Sequence, residues 1–390
     1  MKVSKFLSVP VCSCNFSENF FSQFEEKTVS SGNNLYSLHI MAGSVKVKQK
    51  IRSVLLISFF GIIAGLLFVG LSFGFDAVHV VKAVTGGFII TFVIGLIENF
   101  IFQSKFRKLR FSTILVIRTL VYVLVISLTV IIVWVTHESS VNKVGFITTL
   151  GSEDFRYFIL KGDFKVILIF AIVFSFLVNF FMQINNLLGR NVLPKYISGK
   201  YHFPVEELRT FIFLDLKSST TIGEKLGPLD FHRFINSYFF DIDESIVACS
   251  GEVYQYVGDE VVISWKDKKG FKDSNCIRCF FMISDKIKSL EMKYSEKFGI
   301  TPEFKAGLHY GKVITGEIGD SKKEIVFHGD VLNTAARIQA ECNALNQKLI
   351  VSEEILNNMD LPSEFKTKSL GEFLLRGKEQ GIKLYGISKE

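Results

Sequence analysis

Apolar residues fall into two regimes along the chain. Up to about residue 184 they gather into long runs. Residues 53–75 carry no charge, 83–104 contain one acid (Glu98), 111–136 contain one base (Arg118), and 166–184 contain none. A spanning helix needs about 20 apolar residues, so these four runs predict four transmembrane helices. Beyond residue 185 the runs shorten and break at polar and turn residues, as in a soluble domain. Residues 210–215 read as a buried strand. Ser218 and Ser219 are N-cap candidates for a helix that stops at Gly227-Pro228. A helix follows over 229–249. Strands over 252–257 and 260–265 flank the turn signal Gly258-Asp259. A long helix is expected over 271–298, then strands over 303–310 and 312–318. A helix over 330–343, a strand over 348–352 and strands near the end complete an α+β domain with a mixed or antiparallel sheet.

Basic residues orient the spans. Lys46, Lys48, Lys50 and Arg52 precede the first, and Lys105, Arg107, Lys108 and Arg110 separate the second from the third. Arg190, Lys195 and Lys200 follow the fourth. The other loops hold Lys82 in one, and Lys143, Arg156 and Lys161 diluted by Glu138, Glu153 and Asp154 in the other. Both ends of the chain are therefore expected in the cytoplasm, at a cell membrane. The outer loop, about 137–163, is too short for a folded ligand-binding domain. Glu98 and Arg118 each lie roughly 10 Å below the expected cytoplasmic face, at about 1.5 Å per helical residue. An ionisable group inside a span faces the bundle by default, so Glu98, Arg118 and Asn179 are expected to form a buried polar layer. The domain limits read 1–45 as a disordered tail, 46–184 as the membrane domain, 185–208 as a connector and 209–390 as the soluble domain. Met41 resembles an alternative start. The short apolar run before Cys12 and Cys14 is only a faint signal-peptide pattern.

Composition agrees. The 390 residues carry a net charge of +7 and include 40 Phe, with mean hydropathy +0.33. Disordered, collagenous and small disulfide-framework proteins are excluded. The basic excess marks cytoplasmic flanks rather than nucleic-acid binding, for which no recognition motif is present. Of Cys12, Cys14, Cys249, Cys276, Cys279 and Cys342, only Cys276 and Cys279 form a CxxC. No second pair completes a zinc site, and both are expected to be reduced.

Asp215 ends the first strand of the soluble half, and Asp259 sits at the hairpin tip. If the hairpin pairs beside that strand, the two acids meet at one sheet edge. Two carboxylates at close range repel unless a cation lies between them. Mg²⁺ takes one or two carboxylates plus phosphate oxygens, which suits a nucleotide site. The backbone N–H groups after Asp215 would hold the polyphosphate. Without a cation, the same acids read as a helix-cap acid and a turn acid.

Three segments decide between these readings: Phe213-Leu-Asp215-Leu-Lys-Ser-Ser-Thr220, Tyr256-Val-Gly-Asp259-Glu260 and Gly329-Asp-Val-Leu-Asn333-Thr-Ala-Ala-Arg337. They resemble the three core motifs of the class III adenylate/guanylate cyclases in order and spacing, and the likeness extends over about 205–388. The resemblance implies an α+β, ferredoxin-like (βαββαβ) catalytic domain, following the four-helix transmembrane bundle that the apolar runs predict. That domain works as a head-to-tail homodimer with its sites at the interface. It implies Asp215 and Asp259 as ligands for Mg²⁺ or Mn²⁺, two ions per site. It implies Asn333 as the ribose-positioning residue and Arg337 as the group stabilising the transition state. Asn333 and Arg337, four apart on a helix, share one face. Lys378 resembles the phosphate-binding lysine, and Ser218 and Ser219 fall in the phosphate-binding turn. The substrate-reading positions depart from the pattern: Gln255 stands where adenylate cyclases usually have Lys, and Val326 where they have Asp or Thr. An amide can donate or accept; valine can only pack. ATP is the favoured substrate, with GTP the alternative. His328 takes a usually apolar position and reads as a packing or rim residue. The rivals are a guanylate cyclase and a receptor with a catalytically inactive cyclase-like dimerisation module. The weaker diguanylate cyclase reading lacks its Gly-Gly-Asp-Glu-Phe signature.

Overall fold

The computed structural model describes residues 76–102, 109–189 and 192–389, with part of 51–70. The chain divides into two compact units, 1–183 and 184–390.

In the first unit, α1 (Ala77–Ile97) runs on as a π-helical turn, Glu98–Phe102. Then come α2 (Phe111–Asn142), the short α3 (Phe146–Leu150) and α4 (Glu153–Leu160), and α5 (Phe164–Leu188). Among the described residues, three helices are long and apolar enough to cross a membrane: Val80–Phe102, Phe111–Asn142 and Phe164–Asn185. The span expected over 53–75 lies partly outside the described residues, and those described between 51 and 70 are helical. The tail, 1–45, lies outside them entirely. The span expected to end at 136 runs on to Asn142, because polar His137, Glu138, Ser139 and Ser140 continue the helix past its apolar part.

α5 exposes Phe170, Ile172, Val173, Phe174, Phe176 and Leu177, and buries Ala171, Ser175, Asn179 and Gln183. Recurring every four residues, these small and polar side chains form the stripe that packs inward, as expected where lipid covers the apolar face. Glu98 and Arg118 form an ion pair at 3.0 Å. The Tyr122 hydroxyl donates to the same carboxylate at 2.6 Å, and the Arg118 guanidinium lies 5.0 Å above the Phe102 ring. Asn179 is buried but neither amide atom has a hydrogen-bond partner, so it stays outside this bonded set.

The second unit starts with α6 (Val192–Ile197) and then builds one eight-stranded mixed sheet. Its elements are β1 (Val205–Leu216), α7 (Ser219–Ala248), β2 (Glu252–Val257), β3 (Glu260–Lys266), α8 (Asn275–Ser289), α9 (Glu291–Phe298) and β4 (Phe304–Ile318). β5 (Glu324–His328), α10 (Asp330–Ala340), β6 (Leu349–Ser352), α11 (Glu353–Leu356), β7 (Phe365–Phe373) and β8 (Ile382–Lys389) follow. The strand order is β2-β3-β1-β4-β6-β8-β7, with β5 added to β4. From β1 to β4 the chain traces βαββαβ, and only β4 and β6 pair in parallel. Ile212, Leu214 and Leu216 face a core closed by Phe234, Tyr238 and Ile242 of α7 and Ile277, Phe280 and Ile283 of α8. The alternating residue Phe211 packs on the opposite face with Val262, Val313, Val331 and Ala335 under α10.

Four local expectations change. β1 begins at Val205, ahead of both 209 and 210, because it pairs along its whole length with β4. The strands expected over 303–310 and 312–318 are one strand, β4: Gly311 stays in register opposite Arg209 and does not break it. The helix expected over 271–298 opens as one 3₁₀ turn, Lys272–Ser274, and divides at Leu290 into α8 and α9. Ser218 does precede α7, but with φ 58° and no side-chain capping bond. α7 breaks at Gly227, before Pro228, as the dipeptide predicts.

Candidate active site

Antiparallel register places Asp215 of β1 opposite Glu260 of β3 on one side and Lys305 of β4 on the other. Directly opposed residues share a face. Glu260, Asp215 and Lys305 therefore form one row across three strands, on the face that carries α10. The β2–β3 hairpin brings Asp259 beside this row. Burial, followed by the Asp259 charge, raises the Asp215 carboxyl above its ordinary value, while Lys305 and Gln339 oppose the rise. Glu260 is pushed up to about 7 by burial and by the charges of Asp215 and Asp259. The Lys305 ammonium lies 3.4 Å from Asp215 Oδ2, and Gln339 Nε2 donates to that oxygen at 2.9 Å. Gln339 reaches it because α10 lies directly on β4: a Cβ at Gly307 would stand 2.7 Å from the Gln339 Cα. Beneath, the buried Tyr238 hydroxyl has no hydrogen-bond partner, and burial with both aspartates drives its phenol upward. Three carboxylates thus share one ammonium. Among the described residues no three His, Cys, Asp or Glu groups are arranged to hold a metal ion by themselves.

α10 turns Val331, Thr334, Ala335, Ile338 and Gln339 inward. Asn333 is exposed and Arg337 half-buried. Arg337 Nη1 is shielded from water yet has no hydrogen-bond partner. Its guanidinium fits beside Gly377, which takes φ 71° and where a Cβ would stand 3.4 Å from Nη2. The next residue, Lys378, pairs with Asp330 at the start of the same helix. Burial works against ionisation of Asp330, but Lys378, Thr334 and Arg337 hold its carboxyl below the ordinary value. No hydrogen bond or ion pair among the described residues joins Asn333 or Arg337 to Asp215 or Asp259. The aspartates and the Asn333–Arg337–Lys378 group are two separate clusters within one chain.

Residues 204–389 match the adenylate and guanylate cyclase catalytic domain family. The chain carries a class III cyclase catalytic domain. It is 31% identical over 222 residues to adenylate cyclase 2 of Rhizobium meliloti, covering 57% of this chain and 61% of that protein. It is 24% identical to an adenylate cyclase of Anabaena cylindrica over 184 residues, 46% of this chain and 36% of that one. The chain thus spans less than two thirds of either relative. A bacterial light-regulated adenylyl cyclase structure aligns with TM-score 0.49 and 23% identity, over 56% of this chain and 64% of that one. Class III cyclases generally use divalent metals.

The remaining named positions of the cyclase domain divide by exposure. Ser218 is exposed and Ser219 half-buried at the uncapped start of α7, leaving its first backbone N–H groups without a side-chain acceptor. Gln255 is exposed and pairs with Val262. A bulge between Val253 and Gln255 brings Tyr254 and Gln255 to the same face; bulges re-aim side chains in this way. Val326 is half-buried on β5, opposite Gly316, and His328 is exposed at the strand's end. Strands β2 and β5 are tied together next to these positions. The Phe327 backbone N–H donates to the Tyr254 hydroxyl at 3.4 Å, and the two rings stand 4.6 Å apart.

Sequence reasoning missed Gln339, Lys305, the role of Glu260, and β5 as a strand. Glu260 had a signal, lying in the quoted motif next to Asp259. Lys305 and Gln339 had none, since only register and the depth of α10 bring them to Asp215. It also missed a buried charge cluster at the far end of β1. Arg209 Nε lies 3.0 Å from Glu207, Lys266 Nζ lies 2.6 Å from the same carboxylate, and the Tyr201 hydroxyl donates to it at 2.8 Å. The Arg209 guanidinium covers the Phe327 ring at 4.3 Å.

Proposed function

We propose that the protein is a membrane-bound adenylate cyclase. It converts ATP to 3′,5′-cyclic AMP and pyrophosphate, as a homodimer with its catalytic domain in the cytoplasm. The observation that carries this reading is the pair of half-sites. Asp215 and Asp259 converge with too little positive charge, while Arg337 has an unpartnered, water-shielded Nη1 and makes no ion pair among the described residues. A two-fold dimer places one half-site against the other.

Asp215 and Asp259, with substrate phosphate oxygens, fit two Mg²⁺ or Mn²⁺ ions, which when bound supply positive charge at the α-phosphate and favour the 3′-alkoxide. In the chain itself, the uncapped N–H groups at 219–221 receive phosphate oxygens. Asn333 of the facing protomer holds the ribose, so that the 3′-hydroxyl is aligned with the α-phosphate. Arg337 opposes the charge that grows on the phosphoryl oxygens as pyrophosphate leaves. Lys378 exchanges Asp330 for a phosphate. Gln255, exposed on the open face, meets the purine edge, and Val326 packs against the base. The two relatives described above, out of a larger set of matches, are both adenylate cyclases, which favours ATP. Gln255, able to donate or accept, keeps GTP as the second reading.

The test is cyclic nucleotide formation by membranes containing the protein, with ATP and with GTP, each with Mg²⁺ and with Mn²⁺. Cyclic AMP as the main product is expected. Cyclic GMP as the main product would replace the substrate assignment, and neither product under any metal would reject the enzyme reading.

A further inference from the structure

The membrane unit holds a cavity of about 300 Å³, lined by Trp134, Glu138, Asp154, Tyr157, Phe158, Gly162 and Asp163. α2 supplies Trp134 and Glu138, and α4 supplies Asp154, Tyr157 and Phe158. The turn after α4 forms one side of the cavity, the Gly162 N–H donating to the Tyr157 carbonyl at 2.7 Å. The aromatic wall is rigid: Trp134 stacks on Phe158 with centroids 4.7 Å apart and planes 9° apart, and Phe155 packs on Trp134 at 5.8 Å. Tyr157 leaves 63% of its surface free.

The charges in the cavity are unbalanced. Glu138 has His137 at 3.5 Å and also feels the Lys82 charge. Asp154 and Asp163 have no ion pair among the described residues, although Arg156, Lys161 and Lys165 are near in sequence. Aromatic rings and acids are common at a membrane boundary. Here they line a single concavity, with Trp134 and the exposed Tyr157 beside Asp154 and Asp163, which have no ion pair among the described residues. That combination recognises a cation through both electrostatics and ring quadrupoles.

The spacing of the acids selects the kind of cation. No three carboxylates among the described residues are arranged to hold a metal ion. A bare ion would therefore meet one acid at a time. A chain with several ammonium groups can reach separate carboxylates while its methylenes lie on Trp134 and Tyr157. We propose that this cavity is a binding site for an alkyl polyamine. The proposal is independent of the nucleotide chemistry and of which way the spans are oriented.

The test uses the full chain in nanodiscs of zwitterionic lipid, titrated with spermidine. The sequence has two Trp, and Trp265 is 1% exposed within the cyclase core, so Trp134 is the responsive fluorophore. A saturable change is expected, absent in Trp134→Phe and weakened by salt. By calorimetry, Asp154→Asn and Asp163→Asn should each weaken spermidine binding about three- to fivefold, the weight of one partly exposed charge pair. The double variant should weaken it further, while Asp285→Asn, an exposed acid of the cyclase domain, should leave it unchanged. Both cavity aspartates are exposed, so these variants preserve the fold, and an unchanged melting temperature verifies it. No saturable change, equal affinity in the double variant, or the same response to Mg²⁺ at matched ionic strength would overturn the proposal.

Discussion

Mixing two inactive variants tests the division of the site between protomers. Asp215→Ala removes one carboxylate from the acid half-site; Arg337→Ala removes the guanidinium whose Nη1 is shielded from water and unpartnered. Each variant alone should lose about 10²–10³ in kcat, the cost of removing one preorganised group that opposes transition-state charge. If the site is divided as proposed, each site of a two-fold dimer takes the acids of one protomer and Asn333 and Arg337 of the other. A dimer of one Asp215→Ala and one Arg337→Ala chain then has one doubly damaged site and one intact site. Random pairing of equal amounts yields about half mixed dimers, and half of their sites are intact. The mixture should therefore recover about one quarter of wild-type activity per chain, at least tenfold above either parent. The assay is cyclic AMP formation by co-expressed, differently tagged chains, with mixed dimers quantified by sequential affinity capture. If mixed dimers form and activity stays at the parental level, each site lies within one chain and the cross-interface assignment is wrong.

Gln255→Lys should raise the ATP-to-GTP ratio of kcat/KM, because an ammonium can donate to adenine N1 and opposes the guanine N1–H; an unchanged ratio would show that this position does not read the base. Burial would raise the Glu207 carboxyl, but Lys266, Tyr201 and Arg209 hold it down at about 2, against an ordinary 4.5. Its contribution to stability is thus complete above pH 4.5 and fades as pH falls towards 2, so Glu207→Gln should flatten the acid limb of the melting profile. Arg209→Met, which removes one partner of that buried carboxylate but leaves Lys266 and Tyr201 on it, should cost about 1–3 kcal/mol in unfolding of the cyclase domain followed by Trp265 fluorescence. In the membrane unit, a double-mutant cycle with Glu98→Gln and Arg118→Gln should show coupling of about 0.5–3 kcal/mol in detergent stability, and additive effects would mean that the 3.0 Å pair contributes nothing.

Local chemistry was legible in the sequence wherever one short segment decides the outcome. Long apolar runs predict membrane helices because lipid offers no partner to a free backbone group. A short apolar run locates β1, and the turn signal Gly258-Asp259 locates β2 and β3. The three motifs place Asp215, Asp259, Asn333 and Arg337 at a strand end, a hairpin tip and one helix face, where the structure has them. The Glu98–Arg118 ion pair follows from helical rise alone, since both residues lie at one depth on neighbouring helices. Tertiary structure decided the rest, because it depends on partners far apart in the chain. Gly311 looks like a break until β1 pairs through it. Tyr122, rather than Asn179, joins Glu98 because the π turn and the packing of α2 determine which side chain reaches the carboxylate. Lys305 and Gln339 come to Asp215 only through strand register and the close seat of α10 on Gly307. The acid-and-aromatic cavity beside α4 needs the fold of the whole segment between α2 and α5 to exist. Residue type and spacing constrain what is bonded along the chain; which charges end up short of a partner is settled only when distant segments pack.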